Sequence, residues 1–181
     1  MEKKGEAVWN RMPKVNAELF ALTYGSLVMQ LVKDYEETNE INEQLEKMGH
    51  NIGLRLIDEF LAKSGTSSCG NFRETAEIIG KVAFKMFLGI TCDVTNWNSE
   101  GTSFSLILNE NPLTDFVELP PQYEDLQYCA LLCGVISGAL EMVQLQVECN
   151  IVRDTLKGDE CTEIKVDLKE VMKLTLDEYK D

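Results

Sequence analysis

A chain of 181 residues with 17 basic and 31 acidic side chains carries a formal charge of −14. That balance argues against nucleic acid, whose phosphates need a basic footprint, and against a simple basic face laid on anionic lipid. With 44% hydrophobic and 27% charged residues, the composition is that of one soluble globular domain with a real core.

The opening residues, Met1 to Lys14, are polar and mixed, with no apolar run of the kind a secretory leader needs. Residues 1–15 read as a flexible tail, and neither end carries a lipidation signal. Asn16 caps a first helix over Ala17–Glu37, whose apolar stripe is Leu19, Phe20, Tyr24, Leu27, Leu31 and Tyr35. Thr38-Asn39 breaks it and caps a second helix over Glu40–Lys63, striped by Ile41, Leu45, Met48, Ile52, Leu56 and Phe60. Gly49 and Gly53 inside it each cost ~1 kcal/mol against alanine. Close approach of another helix explains both.

A polar loop, Ser64 to Gly70, presents Cys69, and a third helix starts at once. Asn71 is its N-cap, with Glu74 three residues on able to reach back. Its apolar positions 72, 76, 79, 83 and 86 step by four, three, four and three, which is one continuous face. Ala76, Gly80 and Ala83 form a small-residue column that leaves room for a backbone or a ligand.

The period then changes to two. Residues 92–98 and 103–109 alternate around the turn Asn98-Ser-Glu-Gly101, a β-hairpin. Pro120-Pro121 leads into a central buried helix over Glu124–Leu145. Its apolar run, Cys129 to Leu140, is too short for a bilayer, which needs ~20 residues. Gly134 and Gly138 again invite a close neighbour. Val147–Thr155 and Thr162–Leu168 make a second hairpin. The order is α-α-α-β-β-α-β-β: a single α+β domain over residues 16–170, with a four-stranded antiparallel sheet covered by helices on one face. Residues 171–181 form a charged tail.

Catalytic chemistry finds little support. The six cysteines lack the density of a disulfide scaffold. Cys92, Cys129, Cys133 and Cys149 sit in apolar or semi-apolar runs as small hydrophobes, which places the chain in a reducing, cytoplasmic compartment. His50 is the only histidine, and nothing in the sequence sets it beside Cys69, so neither a Cys-His nor a Ser-His pair is expected. No phosphate loop, dinucleotide fingerprint or metal-ligand spacing occurs. The expectation is a non-catalytic chain with no metal and no cofactor. Cys69 stands out instead. Arg73 and a helix start bring positive charge near it, and a thiol beside an apolar cleft is what thioester acylation needs.

Nine collinear stretches carry a family resemblance. They are Glu18–Gly25, Lys47–Ile57, Phe72–Ala76, Lys81–Ile90, Phe104–Leu108, Asn111–Pro120, Leu131–Val135, Gly138–Gln144 and Asp154–Asp159. Over Glu18–Ile164 the chain resembles the small subunits of the transport protein particle (TRAPP), in the branch of its third component. The resemblance implies a twisted four-stranded sheet with helices on one side. It implies a core subunit of a complex that tethers vesicles between endoplasmic reticulum and Golgi and serves as nucleotide-exchange factor for a Rab-type GTPase. The implied partners are other TRAPP small subunits, as heteromers or a homodimer, the GTPase through the assembled complex and its C-terminal contact, and the membrane surface peripherally. The implied location is cytoplasmic, at cis-Golgi and endoplasmic reticulum membranes. It further implies a palmitoyl thioester on Cys69, its chain in an internal channel walled by Ala76, Ile79, Gly80, Ala83 and Met86. Ser68 stands where the family carries a basic residue. A free-standing fatty-acyl-binding protein, using the same cavity outside a complex, is the alternative.

Overall fold

A computed structural model describes residues 1–66 and 69–172. Among them are helices α1 (Glu2–Arg11), α2 (Ala17–Asp34), α3 (Thr38–Ser64), α4 (Phe72–Ile78), α5 (Phe84–Leu88) and α6 (Ala130–Glu141), and strands β1 (Asp93–Thr95), β2 (Ser103–Leu108), β3 (Leu145–Arg153) and β4 (Thr162–Val171). The strands form one antiparallel sheet in the order β1-β2-β4-β3. The α+β class and the two local hairpins agree with the sequence reading. The join between the hairpins, β2 against β4, puts Phe104 opposite Val166 and Leu106 opposite Ile164. These four side chains and Leu108 are fully buried and form the floor of the main core. Strand alternation turns Ser103, Ser105, Glu163 and Lys165 to the opposite face.

The cap signals behave as their chemistry requires. Asn16 accepts the Leu19 amide at 2.7 Å, and Asn71 accepts the Glu74 amide at 2.9 Å. Helix α3 ends on Gly65 at φ 64°, and α5 on Gly89 at φ 76°, left-handed positions that glycine adopts without a Cβ penalty.

The four internal helix glycines interlock α3 with α6. A Cβ on Gly49 or Gly53 would overlap the carbonyl of Leu131 or Val135. One on Gly134 or Gly138 would overlap that of Glu46 or His50. The two backbones therefore touch over two turns, and this contact presses the α3–α6 pair onto the sheet.

Four expectations are corrected. Residues 1–15 are not a free tail, because Glu2–Arg11 is helical and Gly5 and Val8 are buried. A helix of ten residues is marginal alone, and α1 is held by packing and by the ion pairs Lys85–Glu6 (2.8 Å) and Lys81–Glu2 (3.7 Å). The third helix is not continuous. A π turn spans Ile79–Ala83, where the Phe84 amide bonds to the Ile79 carbonyl. That one extra residue rotates everything after it by about 100°. Helix α6 begins at Ala130 instead of Glu124. The backbone before it is bonded elsewhere: the Asn42 side chain donates to the Asp125 carbonyl and accepts the Gln127 amide, and the Tyr24 hydroxyl donates to the Tyr128 carbonyl. Strand β4 runs on to Val171, so residue 171 is not part of the expected charged tail, and residues 173–181 lie outside those described.

Glu163 is a pH-sensitive tie on the face away from the helices. It accepts from Arg153 Nε at 2.6 Å and Asn96 Nδ2 at 3.0 Å. Burial alone would push its carboxyl up. Hydrogen bonds with Ser105, Arg153 and Asn96 outweigh that and hold it below its ordinary value of 4.5. A carboxyl depressed in the folded state contributes stability above its unfolded pKa and loses it as pH falls through the folded one. The melting temperature of the unaltered chain should therefore fall more steeply below pH 4.5 than that of Glu163→Gln. Thermal scans between neutral and acid pH test this, and parallel curves for the two proteins would refute it.

Candidate functional site

Cys69 sits between two ordered segments. On one side Thr66 is buried, its amide bonded to Ser64 Oγ at 3.1 Å. On the other, the Gly70 amide donates to Glu74 Oε2 at 2.7 Å, and Thr75 Oγ1 donates to the Asn71 carbonyl at 3.1 Å. Glu74 thus reaches back one residue further than a capping box requires, and it ties the thiol's own neighbour to α4. Of the six cysteines, Cys69 alone is exposed. Burial pushes the thiols of Cys129 and Cys133 up to about 12, and it raises those of Cys92 and Cys149 as well. For Cys129 the bond from Asn111 Nδ2 opposes the shift without reversing it. Access sets Cys69 apart, since only an accessible thiol can reach an electrophile.

Arg73 has an aromatic partner. Its guanidinium lies over Trp97, 4.6 Å from the ring centroid, a cation–π contact. Trp97 stacks on Phe104 at 4.9 Å, and Phe72 meets both edge-on at 6.1 and 5.2 Å. This aromatic trio, immediately beyond Cys69, anchors the start of α4 to β2. The sequence showed each ring but not the trio, because Trp97 belongs to the turn after β1.

The five proposed channel residues do not share one wall. Ala76 is fully buried in the main core, and Ile79 packs against it. Gly80 faces the chain leading into β1. A Cβ there would stand 2.9 Å from the Cys92 carbonyl oxygen and 3.0 Å from Val94, while the Gly80 carbonyl accepts the Cys92 amide at 2.9 Å. The small residue admits a backbone at this point. At the end of the π turn and beyond it, Ala83 and Met86 join a second cluster with Val8, Phe60, Ile78 and Val82. The sequence missed α1 as a partner of that cluster. Its signal was the spacing of Gly5, Val8, Trp9 and Met12.

Two surface hollows accompany this site. One, of about 400 Å³, is lined by Glu43, Glu46, Lys47, His50, Asn51 and Ser137. There His50 lies 3.3 Å from Glu141 and 3.4 Å from Ser137, a contact with a serine that the sequence reading did not expect. It precedes the end of α3 by about 21 Å of helix rise. The other, of about 230 Å³, lies between α1 and α3 and is lined by Val8, Arg11, Met12, Pro13 and Lys63.

Residues 20–167 match the model of the transport protein particle (TRAPP) component family. The chain belongs to the TRAPP component family. The trafficking protein particle complex subunit 3 of Dictyostelium discoideum is 55% identical over 172 residues, which are 94% of this chain and 92% of that one. Subunit BET3 of Saccharomyces cerevisiae is 51% identical over 176 residues, covering 96% and 91%. A solved TRAPP subunit 3 from Naegleria fowleri, covalently bound to palmitic acid, superposes with a TM-score of 0.85 at 55% identity, covering 89% of this chain and 99% of that one. The TRAPP match begins after α1, so the docked N-terminal helix lies ahead of the part the family model describes.

Proposed function

We propose that this chain is a core subunit of a TRAPP-type tethering complex acting between endoplasmic reticulum and Golgi, and that it carries a long acyl chain as a thioester on Cys69. The observation that carries the acyl reading is the single exposed thiol, placed at the start of α4 in a chain 55% identical to a palmitate-bound TRAPP subunit. In the acylation step the Cys69 sulfur attacks the carbonyl of a long-chain acyl-coenzyme A. A new S–C bond forms, the coenzyme's S–C bond breaks, and coenzyme A leaves as a thiol carrying the proton lost by Cys69. Rab exchange is then a property of the assembled complex, to which this chain contributes surface and not chemistry. The C-terminal segment offered for the GTPase contact starts at Lys169 on β4, and its residues from 173 on lie outside those described.

Assembly is supported by α2, where Leu19, Leu22 and Met29 are 66%, 55% and 55% exposed. Their three- and seven-residue steps make one apolar stripe on the helix's outer side, with Phe20 beside it. A stripe of this kind marks a protein contact, and another TRAPP small subunit suits it. Among the described residues no helix is long and apolar enough to cross a membrane, so membrane association in this reading is peripheral.

Intact-mass spectrometry of the full chain from a eukaryotic host, before and after hydroxylamine, tests the acylation. The expected result is an acyl adduct that hydroxylamine removes and that Cys69→Ser lacks. A chain with no such adduct, or an adduct retained in Cys69→Ser, would refute it. Sizing of the native extract separates the complex reading from a free-standing acyl-binding protein, since a monomer there would favour the latter.

A further inference from the structure

We infer that α1 is an intramolecular plug, docked over the face of α4–α5 that an acyl chain on Cys69 would take along Ala83, so that acylation and α1 docking exclude each other. The inference rests on the acylation reading above. Its own basis is the way α1 is seated. Val8 is buried in the cluster of Phe60, Ile78, Val82 and Met86, and Met12 and Ala83 pack on the same cluster. The two backbones come so close that a Cβ on Gly5 would overlap the Lys81 carbonyl. Trp9 covers the other end of the face, where a Cβ on Gly89 would stand 3.0 Å from the indole. Nothing of acyl-chain width fits between α1 and this face while Gly5 stays seated.

The helix is also tied to the thiol's loop. Lys4 Nζ donates to Thr66 Oγ1 at 2.7 Å, three residues ahead of Cys69, and Glu2 and Glu6 pair with Lys81 and Lys85. In each ion pair a largely buried lysine, 15% and 18% exposed, meets an exposed glutamate, so water still reaches one partner of each. Val8 is the only residue of α1 whose large apolar side chain is fully buried. A terminal helix with one fully buried large side chain is the kind of element that opens locally ahead of the rest of the fold. A long acyl chain gains ~0.8 kcal/mol per buried methylene, which is enough to take its place. The released α1 then becomes available on the surface as a readout of the acylated state.

The experiment uses the full chain made without acyl groups and then offered palmitoyl-coenzyme A. Adduct formation is followed by intact mass, and hydrogen exchange of the α1 amides is measured before and after. Val8→Asp and Gly5→Val each unseat α1, one by charge and one by overlap. If α1 is docked nine-tenths of the time, unseating it speeds acylation about tenfold. The expected result is that rise in both variants, with α1 amides of the unaltered chain exchanging faster once Cys69 is acylated. Acylation at the unaltered rate in both variants, with α1 exchange unchanged by the adduct, overturns the plug while leaving acylation intact. No adduct in any of the three proteins overturns the acylation reading and the plug with it. Should either variant fail to fold, the exchange measurement on the unaltered chain decides alone.

Discussion

Gly134→Ala should lower stability by about 3 kcal/mol or more, at the upper end of what overpacking costs. Its new Cβ would overlap the Glu46 carbonyl oxygen and stand 2.7 Å from the His50 nitrogen. Those are backbone atoms in the middle of a 27-residue helix, so no rotamer change relieves the overlap. The helices must part, and then Gly49, Gly53 and Gly138 lose the same contact. Relieving it also separates the carbonyls from the opposing Cα hydrogens, a weak but repeated attraction. Gly101→Ala is the control. Gly101 sits at φ 71° with nothing within 4 Å of a Cβ, so it carries only the left-handed backbone penalty of ~1 kcal/mol. Urea unfolding at constant slope compares the two. A Gly134→Ala loss no larger than that of Gly101→Ala would show that the helices do not meet as described.

Phe104→Ala should cost about 3–5 kcal/mol, the range for emptying a buried aromatic site. Phe104 is fully buried on central strand β2, opposite Val166. It is also the ring on which Phe72 and Trp97 both rest. Removing it leaves Trp97 without its stacked neighbour and loosens the seat of Arg73 at the start of α4. In a Trp9→Phe background, Trp97 emission should shift to the red as the unfolding midpoint falls. A loss under about 1 kcal/mol with unshifted emission would show that the trio does not anchor the helix.

Much of the fold is legible in particular residues. Glycine pairs four apart inside two helices are costly unless something lies against them, and the structure supplies it in α3 and α6. The hairpin turns are written locally too. Gly101 is left-handed with its amide bonded to the Asn98 carbonyl at 3.2 Å. Asp154 caps the turn that ends on Gly158 at φ 95°. At the candidate site, Asn71 and Glu74 announced the helix start behind the thiol. The contact of Arg73 with Trp97 was not legible, because Trp97 lies across the turn after β1.

By itself, then, the sequence determined the class, the two hairpins, the capped helix behind Cys69, the family, and the thiol that chemistry can reach. Each of these rests on neighbours within a turn or two, where caps, glycines and periodicity act directly. Only the tertiary structure decided that β2 pairs with β4, that Glu2–Arg11 is a docked helix, and that a π turn divides the wall behind the thiol. Ala76 and Ile79 thereby face the sheet, while Ala83 and Met86 face Val8. A strict helical period carries all four on one face, and one extra residue per turn moves the last two to another. That insertion is stabilised by contacts with residues far away in the chain, such as Cys92 on Gly80 and Gly5 on Lys81, which no local pattern records.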